Sequence, residues 1–168
     1  MKEPRNLRAD EIEARVAHVT ETGCSVLLYK TARVDAAMLD ELVGAENWQC
    51  EFYTEKGSLF CRIGIWTGEQ WVWKSDAGAP SNMEAQKGEA SDAFKRAGFK
   101  WGIGRELYTA PFIWVPVEAL DKHYKDQRTG KWACRDKFTV TNISIRDKRI
   151  AGLEISNARG VVYRWNNA

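Results

Sequence analysis

The chain has 168 residues, 44% hydrophobic and 29% charged, which excludes a disordered or fibrous chain and fits one domain with a core of its own. Lys and Arg number 25 against 23 Asp and Glu, but they are unevenly spread. Residues 1–86 carry 9 basic and 14 acidic side chains, a net of −5, and residues 87–168 carry 16 and 9, a net of +7, an asymmetry that points to a polyanionic partner.

No apolar run approaches the roughly 20 residues of a membrane span. The N-terminal stretch MKEPRNLRADEIEAR is polar, without the apolar segment of a secretory leader, so a soluble intracellular protein with no membrane partner is expected. Cys24, Cys50, Cys61 and Cys134 form no CxxC pair, and His18 and His123 are far apart. A zinc site needs closely spaced ligands. The expectation is no metal, reduced thiols, and surface or edge histidines; Cys50 and Cys61 could face each other across a hairpin. Eight tryptophans suggest a sheet-rich core with aromatic cross-strand pairs, with one or two rings exposed.

Cys24–Tyr29 is short, apolar and β-leaning. Asp35–Val43 has helical spacing, with Ala36, Leu39 and Val43 on one face and Gly44 placed to end it. Trp48–Thr54, Ser58–Thr67 and Gln70–Ser75 are predicted strands separated by Glu55-Lys56-Gly57 and Gly68-Glu69, which makes an antiparallel meander. Leu59, Cys61, Ile63 and Ile65 share one face of its middle strand. Ser81 or Asn82 then caps a long helix running to about Trp101. Its core face carries Ala90, Ala93, Phe94, Ala97 and Trp101. Its opposite face carries Asp92, Lys95, Arg96 and Phe99, with Lys100 at the flank. After a polar, basic stretch to Lys137, β character returns at Phe138–Ile145, Ile150–Ile155 and Val161–Trp165.

The segment Lys87–Tyr108 is the most informative. Lys87, Lys95, Arg96, Lys100 and Arg105 face only Glu89, Asp92 and Glu106 in opposition. A helix backed by a sheet and presenting Lys and Arg outward can hold a row of phosphates. The bland alternative is a solvated face with Arg96 paired to Asp92 at i,i+4. Gly102-Ile103-Gly104 follows a helix and lacks a third glycine, so it is no dinucleotide loop. The scattered carboxylates and unpartnered histidines assemble no hydrolytic site.

The stretch SDAFKRAGFKWGIGRELY resembles the signature helix of the Rad52 superfamily of single-strand annealing proteins, in its phage Sak-type and bacterial DdrA-like forms. The shared pattern falls on Asp92, Lys95-Arg96-Ala97 and Trp101-Gly102. Upstream, Tyr29 to Gly44 with Leu39, Asp40, Glu41 and Leu42, and then Asn47-Trp48, resembles the same family. The resemblance spans residues 24–116, the best-matched core of a domain expected to run over 1–168, with a basic loop and C-terminal strands over 117–168.

The resemblance implies an α+β fold with a β-β-β-α core, an antiparallel meander packed on a long helix with extra C-terminal strands. It implies a non-enzymatic protein without cofactor or ATP that assembles with itself into a ring or filament. Such a ring binds single-stranded DNA in a basic groove and anneals complementary strands in recombination and repair, here for a phage in a bacterial cytoplasm, with a single-strand-binding protein as a further partner. The backbone contacts carry over to Lys95 and Arg96. Eukaryotic members place another basic residue three positions later, where this chain has Phe99; Lys100 stands nearby at a different angle. Phe99 faces either a neighbouring subunit or a base. Lys30 and Arg33 fall where the family's groove begins. Lys122, Lys125, Arg128, Lys131 and Arg135, interleaved with Tyr124 and Trp132, form either a solvated loop or a secondary DNA site. The rival functions are a passive single-strand binder and a metal-dependent nuclease.

Overall fold

The structure, a computed structural model, describes residues 1–80 and 85–167. The expected caps Ser81 and Asn82 lie outside the described residues. In chain order the elements are β1 (Glu13–Thr20), β2 (Gly23–Tyr29), α1 (Ala32–Val43), β3 (Trp48–Glu55), β4 (Ser58–Trp66), β5 (Trp71–Ala77), α2 (Ala85–Lys100), β6 (Ile113–Pro116), β7 (His123–Lys125), β8 (Trp132–Cys134), β9 (Phe138–Arg146), β10 (Arg149–Asn157) and β11 (Gly160–Asn166). They form two compact units: Met1–Asn6 with Lys30–Gly104, and Leu7–Tyr29 with Arg105–Ala168.

The first unit holds α1, α2 and the antiparallel sheet β3-β4-β5. Lys56 and Gly57 take positive φ (52° and 77°), the mirror-image turn that matches strand twist, and so join β3 to β4. Alternation along β4 buries Cys61, Ile63 and Ile65 completely. The facing side of α2 supplies Ala93, Phe94 and Ala97, and α2 lies against β4 and β5. Burying each large side chain contributes ~1.5–3 kcal/mol.

Polar groups lock the register of α2. Trp101 Nε1 donates to Ile63 O at 3.0 Å. The Glu89 carboxylate accepts from Leu59 N, and that of Asp92 from Ala79 N. Gly78 meets the α2 backbone so closely that a Cβ there would sit 2.1 Å from Glu89 O. α1 ends as expected: Gly44, at φ 87°, donates its N–H to Asp40 O at 2.8 Å.

The second unit is a mostly antiparallel sheet of six strands in the order β11-β10-β9-β1-β2-β6. It curls until its edges approach, with Tyr163 Oη donating to Phe112 O at 3.4 Å. Val26, Ile113, Val115, Phe138, Val140, Leu153 and Ile155 fill its interior. The β7–β8 hairpin hangs beside it, held by His123 Nε2 donating to Thr20 O at 2.7 Å.

The fold is therefore α+β, but it is not a meander on a long helix. α2 spans 16 residues, and the largest sheet is the nearly closed one of the second unit, which includes a strand, β1, that periodicity left unassigned. The tryptophans also differ from expectation. Only Trp101 is buried; Trp66 and Trp71 are exposed and the other five are half-buried. Trp66 and Trp71 pair beside the β4–β5 turn, beyond the reach of α2. Cys50 lies opposite Ile63 and Cys61 opposite Phe52, so the two thiols are diagonal neighbours on one face. All four cysteines are free.

Candidate nucleic-acid interface

The Lys-Arg step straddles α2. Lys95 leans toward α1, close enough to lower the pKa of Asp35. Arg96 leans the other way, its Nε 3.7 Å from Asp76 Oδ1 on β5. Lys100 reaches the same carboxylate at 3.9 Å and donates a short hydrogen bond to Ser75 O. The side chains of Arg96 and Lys100 remain 48% and 47% exposed, so these are surface contacts that leave the cations open to a ligand. Lys87 is exposed on the first part of the helix. Asp92, the i,i+4 neighbour of Arg96, is occupied by the backbone of Ala79. Phe99 is half-buried.

One cation was missed by sequence reasoning. Lys74 donates to Lys100 O at 3.2 Å and lies 4.6 Å from the Trp101 ring. It thereby caps the negative end of the α2 dipole and adds a third cation around Asp76. Alternation could have found it: Lys74 pairs with Ile63, on the face of the sheet that meets α2.

Lys30 is a correction. Expected to line a groove, it is buried, its Nζ 2.7 and 2.8 Å from the two oxygens of Asp35. Gly98 and Gly104 make the room: a Cβ would lie 2.5 Å from Asp35 Oδ2 and 2.3 Å from Lys30 Cε respectively. Desolvation pushes the Asp35 carboxyl up to about 6, with Lys30 and then Lys95 pulling the other way. Arg33 is exposed in the first turn of α1.

The remaining candidates belong to the second unit. Arg105 is exposed at the head of the 3-10 segment Arg105–Thr109. Lys122, Lys125, Arg128, Lys131 and Arg135 are all exposed around the β7–β8 hairpin. Trp132 stacks on His123 at 4.9 Å, Lys125 lies 5.9 Å from the Trp132 ring, and Arg135 lies 5.4 Å from Tyr124. The acids among them are turned inward. Asp126 accepts from the backbone of Arg128 and Thr129, and Asp136 from that of Asp121 and Lys122.

A short antiparallel sheet carrying a helix with outward cations defines an α+β protein built to hold a polyanion. Residues 56–126 match the family model described as Rad52/22 family double-strand break repair protein, and on that match the chain is a Rad52-superfamily protein. The matched segment includes β4, β5, α2, β6 and the start of the basic hairpin. Comparison with curated proteins and with solved structures gives no match. The family points to DNA annealing and repair rather than to classical enzyme chemistry.

Proposed function

We propose that the chain binds single-stranded DNA by its sugar–phosphate backbone and anneals complementary strands without ATP. In this reading the subunits form a ring or short filament, and the α2 cations of successive copies make one basic groove. Phosphate contacts position a strand without specifying its sequence, and base edges stay available for pairing. Repeated Lys and Arg contacts give strong, salt-sensitive, sequence-indifferent binding.

The observation that carries the reading is the Lys95-Arg96 step, which throws cations to both sides of a helix rigidly backed by β4 and β5. The basic β7–β8 hairpin is the proposed secondary DNA site. The setting proposed is recombination for a phage in a bacterial cytoplasm, alongside a single-strand-binding protein.

Changing Lys95 and Arg96 together to Ala tests it. Folding and assembly persist, single-strand affinity drops, and its dependence on salt flattens by about 0.7 per lost phosphate contact. Unaltered affinity and slope would remove both residues from the site. Mixing complementary labelled strands separates annealing from passive binding: a passive binder leaves the pairing rate at its spontaneous value.

A further inference from the structure

Tyr108 and Phe112 are the most exposed aromatic rings, at 72% and 77%. Both are set in rigid surroundings. Thr109 Oγ1 accepts from Ile150 N at 2.8 Å and donates to Glu106 O at 2.6 Å, which fixes the 3-10 segment bearing Tyr108 against the start of β10. The Phe112 ring lies nearly parallel to Trp114 (17°, 6.5 Å), and its carbonyl is held by Tyr163. An ordered, solvent-facing ring backed by a second ring loses little freedom when a flat ligand lands on it.

The neighbouring charges say which flat ligand. β10 begins at Arg149, which pairs directly with Arg146 across the β9–β10 turn. Like charges in that position repel. The turn between them, Asp147-Lys148, holds two non-glycine residues at φ 51° and 60°, an arrangement that Asn-Gly would form with less strain. Arg146 Nη2 donates to Asn167 O at 2.9 Å, which steadies one guanidinium. With Arg105 at the head of the Tyr108 segment, this patch of the second unit sets four cations, counting Lys148, against Asp147. Two facing arginines beside two bare rings suit a phosphate linking two bases. They do not suit an isologous contact with a second copy, which would set this basic patch against itself.

We propose that Tyr108 and Phe112 form a base-stacking platform for single-stranded DNA, with Arg146 and Arg149 holding the phosphate between the stacked bases. The inference rests on the reading of the chain as a single-strand binder, and it adds a contact that takes bases where α2 takes backbone. Stacking one or two bases per subunit sets the phase of the strand and leaves the others unpaired and available. Paired bases cannot enter, so duplex does not compete.

The test is fluorescence anisotropy on the full chain with labelled dT30 and with a base-free deoxyribose-phosphate strand of equal length. Wild type binds dT30 about tenfold or more tightly than the base-free strand, as stacking of one or two bases provides. In Tyr108→Ala/Phe112→Ala that ratio collapses toward one while base-free affinity holds. Phe112→Trp keeps the ratio and Phe112→Leu loses it, which separates stacking from misfolding. Arg146→Gln/Arg149→Gln keeps the ratio but weakens both ligands and lowers the salt slope. An unaltered ratio in the double Ala variant overturns the platform. So does a change in sedimentation with the ratio intact, since a second copy then covers the rings. The Lys95→Ala/Arg96→Ala variant is the control for the α2 reading: if it binds both strands as wild type does, that reading fails while the ratio still judges this one.

Discussion

Lys30 Nζ sits 2.7 and 2.8 Å from the two carboxylate oxygens of Asp35, and the two side chains are only 8% and 0% exposed. Gly98 of α2 and Gly104 beyond it are the floor and wall of this pair, since a methyl group at either would collide with it. The pair therefore fixes how α1 and the end of α2 approach each other beneath Lys95. A buried ion pair adds little net stability over a well-packed apolar pair, but removing one member leaves an uncompensated charge. Its role here is to set register, and the DNA-facing cations ride on the helix it positions.

Lys30→Met at pH 7.5 should therefore cost about 3–5 kcal/mol of unfolding free energy. Urea denaturation reads this directly. The folded fraction should bind single-stranded DNA as wild type does, because Lys30 reaches no ligand. Wild-type stability with impaired DNA binding would instead return Lys30 to the groove.

Asp35 should also leave a signature in the pH dependence of stability. Burial raises its folded pKa to about 6, above the ordinary carboxylate value. The folded state then holds a proton that the unfolded chain has released between about pH 4 and 6. The contribution is full below pH 4 and is lost as pH rises through 6, by at most about 3 kcal/mol. The difference in urea stability between wild type and Asp35→Asn should fall over that interval and stay flat above pH 7. A difference that rises over the same interval would mean the Lys30 ammonium outweighs desolvation.

Asp76 opposes the proposed function where it stands. It draws on Arg96 at 3.7 Å and Lys100 at 3.9 Å, with Lys74 close by at the end of α2. Asp76→Asn keeps the shape and frees two cations. Single-strand affinity should rise severalfold at about 50 mM salt and converge with wild type near 1 M, where screening reaches ~3 Å. Salt titrations of both proteins decide it, and equal curves would show that these cations are not the ones DNA meets.

Much of this was legible in the sequence, for identifiable reasons. The meander and the buried face of α2 were read correctly because Cys61-Ile63-Ile65 and Ala93-Phe94-Ala97 keep clean periods of two and near four. β1 was missed because its register slips between Val16 and His18, and that irregularity breaks the alternation. The Lys-Arg step was visible as an outward pair. Its division between Asp35 and Asp76 was not, because those carboxylates lie 60 and 20 residues upstream in the numbering. Lys30 was misjudged for the same reason: nothing local announces that Gly98 and Gly104 open a slot for it.

The thiols of β3 and β4 give a last check on the sheet register. Cys50 is half-buried and diagonal to Cys61, whose S–H hydrogen-bonds to it and pulls its pKa down to about 7. The same hydrogen bond and then burial push Cys61 well above the usual thiol range. Since the thiolate is the nucleophile, iodoacetamide should label Cys50 in the native protein with a half-maximal rate near pH 7 and leave Cys61 largely unmodified. Cys61→Ala removes the donor, so the Cys50 midpoint should climb toward the ordinary value of ~8.5. Peptide mass mapping across pH follows both sites. A midpoint that stays near 7 in Cys61→Ala would mean that another donor holds the Cys50 thiolate and that the diagonal contact between β3 and β4 is not what tunes it.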